Sequence, residues 1–169
     1  MILAIVQARM GSTRLPGKVL KEVCGKSLIE ILFHRLSHSK KIDKIILATS
    51  ENPENDLLVE TVEKLGFEVF RGSENDVLDR YYQAAKEQNP DIVVRITGDC
   101  PLIDYQVTDQ VINYFLENDF DYVCNGDPPT FPDGLDTEVF TFESLEKASK
   151  EASQQHEREH VTSFIRESG

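Results

Sequence analysis

Apolar and polar positions along this chain follow two rhythms that take turns. Residues 2–6, ILAIV, form a short unbroken apolar run, the pattern of a strand buried on both faces. Residues 27–39, SLIEILFHRLSHS, place Leu28, Ile31, Leu32 and Leu36 at helical spacing behind Ser27, a residue suited to cap a helix. KIILAT at 44–49 predicts a second strand. PENDLLVETVEKLG at 53–66 predicts a helix, opened by Pro53 and stopped by Gly66. FEVF at 67–70 reads as a third strand and ENDVLDRYYQAAKEQ at 74–88 as an amphipathic helix. DIVVRIT at 91–97 is a fourth strand, YQVTDQVINYFLEN at 105–118 a helix, and DYVC at 121–124 a fifth strand.

Strand and helix alternate, and the connections are short. That pattern predicts right-handed βαβ units, hence an α/β fold with a mostly parallel sheet covered on both faces, a three-layer α/β/α sandwich. After Cys124 the rhythm breaks. NGDPPTFPDG at 125–134 reads as a long loop, followed by a strand (LDTEVFT), a helix (FESLEKASKEAS) and a last helical stretch (EREHVTSFIRES). Ligands of open α/β sheets bind at the carboxyl ends of the strands. Residues 7–18, 71–76 and 98–101 all leave such ends and are expected to share one rim, with 125–134 beside it.

Charge and cysteine usage narrow the partners. Thirty acidic residues against eighteen basic give a net charge of −12 over 169 residues, which disfavours nucleic acid and anionic membranes as partners. A small anion remains open, because Arg9, Arg14, Lys18 and Lys21 gather in one stretch. Cys24, Cys100 and Cys124 are odd in number and widely spaced, which argues against a disulfide framework. MILAIV turns polar too soon for a signal peptide's apolar core. These features lead to the expectation of a cytoplasmic protein.

The stretch QARMGSTRLPGKVL, residues 7–20, follows the first strand directly. It fails the G-x-x-x-x-G-K-[ST] pattern, because Ser12 stands where Gly17-Lys18 requires glycine, and Gly25-Lys26-Ser27 meets Leu20 instead. No G-x-G-x-x-G occurs. The stretch can still hold phosphates: Gly11 and Ser12 allow a tight turn with exposed N–H groups, and Arg9, Arg14 and Lys18 can close around an anion. The alternative is a polar loop whose arginines pair with surrounding carboxylates.

VQARMGSTRLPGKVL resembles the loop A-R-x-G-S-x-R-L-P-x-K of cytidylyltransferases that activate acidic sugars, and among them is most similar to the spore coat polysaccharide biosynthesis protein F group. FRGSENDVLDRY (70–81), RITGDCPLID (95–104), PDGLDTEVF (132–140) and EREHVT (157–162) resemble that group too. The resemblance implies a nucleotide-diphospho-sugar transferase (GT-A-like) sandwich. It implies transfer of CMP from CTP to a sugar, acidic in type, with release of pyrophosphate, in surface or spore coat polysaccharide biosynthesis. A homodimer is a family expectation.

On that resemblance Arg14 and Lys18 grip the phosphates, Arg9 faces them, and Ala8, Gly11 and Ser12 let the nucleotide approach the backbone. Asp99 of GDCP binds Mg2+, and a lone carboxylate with waters and phosphates suits that ion. Without the resemblance, GDCP reads as a helix-capping turn. Arg71, Gly72 and Ser73 read base and ribose. Arg80 either faces the nucleotide or pairs with a carboxylate such as Asp76. Asp136, Glu138 and His160 are the candidates on the sugar side. The group carries a later aspartate as a second metal contact, so residues 1–169 are expected to be one nucleotidyltransferase-like domain lacking the C-terminal part of the full-length family.

Other readings compete. HEREH at 156–160 matches the H-E-x-x-H zinc pattern, but only nine residues follow it and none of the three cysteines is obviously placed to help. A glycosyltransferase using a nucleotide-sugar on a similar sheet would carry Asp-x-Asp; the nearest pairing, Asp119-Phe120-Asp121, precedes a strand. A catalytically silent nucleotide- or sugar-binding module is the remaining reading.

Overall fold

The computed structural model describes residues 1–12 and 15–168. In chain order its elements are β1 (Ile2–Gln7), β2 (Glu22–Val23), β3 (Lys26–Ser27), α1 (Leu28–Leu36), β4 (Lys44–Ser50), α2 (Asp56–Lys64), β5 (Glu68–Gly72), α3 (Val77–Gln88), β6 (Ile92–Thr97), α4 (Tyr105–Glu117), β7 (Tyr122–Cys124), β8 (Glu138–Thr141), α5 (Phe142–Glu151), α6 (Gln155–Glu159) and α7 (Ser163–Glu167).

Six strands form one sheet in the order β5-β4-β1-β6-β8-β7. The first four are parallel, and β8 runs antiparallel to both of its neighbours. The expected α/β/α sandwich with a mostly parallel sheet is therefore present. Burial on both faces explains the unbroken apolar runs. In β1, Ala4 and Val6 pack toward α1, α2 and α4, while Leu3 and Ile5 pack toward α3, α5 and α7. Leu47 and Ile46 divide in the same way on β4, and Val94 and Val93 on β6.

The helix starts follow from local capping chemistry. Ser27 and Glu30 form a reciprocal capping box on α1, and Asp76, Asp104 and Thr141 cap α3, α4 and α5 through their side chains. Gly66, at φ 87°, stops α2 as expected.

The structure departs from the sequence reading at several places. Pro53–Asn55 form a 3-10 turn, and the α-helix begins only at Asp56. The strand expected over 135–141 is regular from Glu138 and sits between β6 and β7, so the fifth predicted strand does not border the fourth. A small hairpin, β2 with β3, occupies a segment without clear periodicity; Cys24 and Gly25 turn it with positive φ values of 53° and 76°. The last helical stretch is broken in two, with Val161 at φ 53° between α6 and α7.

β1 lies between β4, reached through α1, and β6, reached from the far edge through α3. The chain thus turns to opposite sides of β1, and the β1 and β6 loops part at their carboxyl ends. Such a switch point is where open α/β sheets leave a crevice.

Candidate active site

That crevice is a cleft of about 490 Å³, whose lining includes Ala8, Arg9, Gly11, Ser12, Lys18 and Asp99. Two close approaches create it. Gly98 N–H donates to the Gln7 carbonyl at 2.7 Å, drawing the ends of β1 and β6 together. A Cβ on Gly98 would stand 2.5 Å from the Ala8 Cβ, so only glycine fits there.

The loop after β1 is folded back on itself. The Met10 carbonyl accepts from Ser12 N–H at 2.8 Å and from Gly17 N–H at 2.9 Å, and Gly17 takes the left-handed φ of 65°. A short 3-10 turn at Lys18–Leu20 follows, anchored by buried Val19. Lys18 is thereby aimed across the cleft, where its Nζ donates to Asp99 Oδ2 at 2.7 Å.

Asp99 is poised by opposing effects. Partial burial pushes its carboxyl up, but the Lys18 hydrogen bond and charge, with help from its own backbone and Thr97, hold it below the usual carboxylate range. Next to it, burial raises the Cys100 thiol, and the charges of Asp99, Asp136 and Asp133 add to that effect. Asp133 and Asp136 therefore lie within electrostatic reach of the Asp99 corner. Mg2+ keeps several waters and takes one or two protein carboxylates with substrate phosphates, and the half-exposed Asp99 (48% side-chain exposure) suits that donor chemistry.

On the other flank, Arg9 pairs with Glu74, which ties the 71–76 segment to the β1 loop. The three loops expected to share a rim are joined by these two ion pairs, Lys18–Asp99 and Arg9–Glu74. Arg14 lies outside the described residues. Gly72 and Ser73 stand in the 71–76 segment. Arg71 is committed to a brace: it pairs with Asp56 at 2.7 Å and donates to the carbonyls of Ser50, Glu51 and Asn52.

Arg80 does not face the cleft. It is 1% exposed, packs against Gly72, and donates to the Ser73 carbonyl, so it supports the loop from beneath. Nor is it an exposed partner of Asp76. Asp76 accepts from Arg158 instead, at 2.6–3.1 Å, while capping α3. Glu138 is likewise engaged, in a largely buried pair with Arg95 at 2.7 Å across β6 and β8. Burial raises Tyr81 beside that pair, and its hydroxyl donates to the Ile5 carbonyl.

His160 is exposed and closes α6 as its C-cap. The zinc-pattern reading of HEREH fails on geometry: α6 spans five residues. Among the described residues the group able to converge on a cation is His156, Glu157 and Glu167, which excludes His160. Glu157 already accepts the N–H groups of Ser153 and Gln154.

Two supporting residues have structural roles that the sequence does not reveal, although Arg158 lies within EREHVT. Asn55 is fully buried; its Oδ1 accepts Met10 N–H at 2.8 Å, and its Nδ2 donates to Ser50 Oγ at 2.7 Å. It fixes the β1 loop from 45 residues away. Arg158 holds the start of α3 from 82 residues away. Local sequence shows only a polar residue in each case.

Comparison with known proteins sharpens this picture. A sequence-family model described as "Cytidylyltransferase" matches residues 3–168. The chain is 49% identical over 166 residues to an uncharacterised protein of Methanocaldococcus jannaschii, covering 98% of this chain and 67% of that protein. It is 40% identical over 172 residues to the spore coat polysaccharide biosynthesis protein SpsF of Bacillus subtilis, covering 98% and 70%. A solved cytidylyltransferase from Leptospira borgpetersenii superimposes with a TM-score of 0.93 at 40% identity, over 98% of this chain and 71% of the other. The chain thus spans about two thirds of the length of these relatives. Among the described residues no helix is long and apolar enough to cross a membrane.

Proposed function

We propose, on the premise that this chain belongs to the cytidylyltransferase family, that its cleft binds CTP and transfers CMP to a sugar hydroxyl. The acceptor in this reading is an acidic sugar for surface polysaccharide, as the QARMGSTRLPGK loop suggests. The observation that carries the proposal is the Lys18–Asp99 pair at 2.7 Å across the cleft. Without a nucleotide these groups neutralise each other. With one, Lys18 turns to the phosphates and Asp99 is freed to hold a hard cation.

In this reading Lys18, Arg9 and Arg14 gather the triphosphate, and the folded loop at Gly11–Ser12 brings the backbone against it. A sugar hydroxyl oxygen forms a bond to the α-phosphorus and gives up its proton to water as the bond to the bridging oxygen breaks and pyrophosphate departs. Lys18 stabilises the charge that develops on that leaving group, and the backbone around Gly11 and Ser12 supplies alignment. Mg2+ held by Asp99 would neutralise phosphate charge. Asp136, whose charge is felt at Cys100 beside Asp99, is the stronger acceptor-side candidate in this reading; Glu138 is engaged by Arg95, and His160 sits at the end of α6. In this reading Gly72 and Ser73 meet the nucleoside, while Arg71 and Arg80 hold that segment in place.

The test is pyrophosphate release with CTP and a panel of acidic sugars, with and without Mg2+, beside titration with CTP, UTP, ATP and GTP. Mg2+-dependent release with CTP supports the reading. Tight nucleotide binding without release with any sugar would favour a silent nucleotide-binding module, and turnover of a preformed nucleotide-sugar would favour a glycosyltransferase.

A further inference from the structure

We infer that Gln7 reads the nucleobase, its carboxamide oxygen accepting a hydrogen bond from the exocyclic amine of cytosine and so favouring CTP over UTP. This deepens the proposed function and rests on it. Gln7 is the last residue of β1, set between Ala48 and Thr97 on the neighbouring strands, and it lines the cleft. Its Oε1 is buried and has no hydrogen-bond partner among the described residues. A buried acceptor left unmade is costly, so a site that carries one is suited to a ligand that supplies a donor.

The position selects which part of a nucleotide that is. Side chains alternate along β1, which puts Gln7 on the face of Leu3 and Ile5, the side of α3 and of the 71–76 segment. Lys18 instead adjoins Val19, which packs on the opposite face. An acceptor oxygen also repels phosphate oxygens. The uncharged, donor-bearing nucleoside is therefore the part that meets Gln7. Of cytosine's donors, the exocyclic 4-amine is the one uracil lacks: uracil presents a carbonyl acceptor there and carries its own edge donor one ring position away, at N3–H. A site built to pair a donor rejects the analogue lacking it far more strongly than an apolar pocket would.

The experiment compares the wild-type chain with Gln7→Met, which keeps length but not hydrogen bonding, and with Gln7→Glu, which keeps an acceptor. Binding and pyrophosphate release are measured with CTP, UTP, 2′-deoxy-CTP and 3′-deoxy-CTP. The CTP-over-UTP ratio is expected to fall about tenfold in Gln7→Met and to persist in Gln7→Glu, even where the added charge weakens both nucleotides. An unchanged ratio in Gln7→Met, with CTP still preferred, overturns the inference alone. So does a Gln7→Met effect that vanishes when a ribose hydroxyl is removed, because the donor is then the sugar. A wild-type chain that binds neither pyrimidine nucleotide overturns the cytidylyltransferase reading and this inference together.

Discussion

Lys18 Nζ and Asp99 Oδ2 lie 2.7 Å apart although 81 residues separate them in the chain. One ends the folded loop after β1 and the other opens the loop after β6, so their meeting is a product of the switch point between those two strands. Replacing Lys18 by Ala is expected to reduce pyrophosphate release at least about a hundredfold, the scale of losing one well-placed charge-stabilising donor. The pair is partly solvent-exposed, so unfolding by denaturant should move little. Normal turnover in Lys18→Ala would reject its role.

The same pair predicts a titration. Burial pushes the Asp99 carboxyl up, but the Lys18 hydrogen bond and charge, with its own backbone and Thr97, together hold it low, so its folded value lies below its unfolded one. The stabilising contribution is therefore present above the unfolded value and is lost as pH falls through the folded one, in acid below about pH 4. Carboxyl NMR should show an Asp99 midpoint below that of a free aspartate, and Lys18→Met should move it upward.

Gly98 allows no side chain. A Cβ there would meet the Ala8 Cβ at 2.5 Å and the Gln7 carbonyl oxygen at 2.7 Å, at the end of a central strand that cannot yield cheaply. Gly98→Ala is expected to cost about 1–3 kcal/mol in denaturant unfolding and to lower nucleotide affinity, because β1 and β6 are pried apart beneath the cleft.

Asn55 holds the β1 loop from below. Asn55→Ala would leave Met10 N–H and Ser50 Oγ without their present partner. The expected loss is about 1–3 kcal/mol of stability, with KM for the nucleotide raised more than kcat is lowered. Isothermal denaturation and steady-state kinetics check the two parts separately.

Asp76 serves α3 twice, as its N-cap and as the partner of Arg158. Asp76→Ala should destabilise by about 2 kcal/mol, the sum of a lost cap and a lost forked pair. Asp76→Asn should recover the capping share only, and Arg158→Lys should lose the forked geometry while keeping charge. Urea midpoints of the three variants order these effects.

The sequence by itself determined the succession of the main strands and helices, because unbroken apolar runs and period-3.6 patterning, the cap at Ser27 and the stop at Gly66 act over a few residues. It also marked the cationic loop at 7–18 and the carboxylate in GDCP, because gathered arginine and lysine side chains in an acidic chain stand out without any coordinates. Tertiary structure alone decided the rest. β8 enters between β6 and β7 through pairing that local patterning does not encode. Arg80 is buried beneath Ser73, and the carboxylate of Asp76 that local spacing offered it pairs with Arg158 instead. Asn55 becomes a brace only because β1 and β4 lie side by side. Partners chosen across tens of residues depend on which strands become neighbours, and that choice belongs to the packing of the whole sheet.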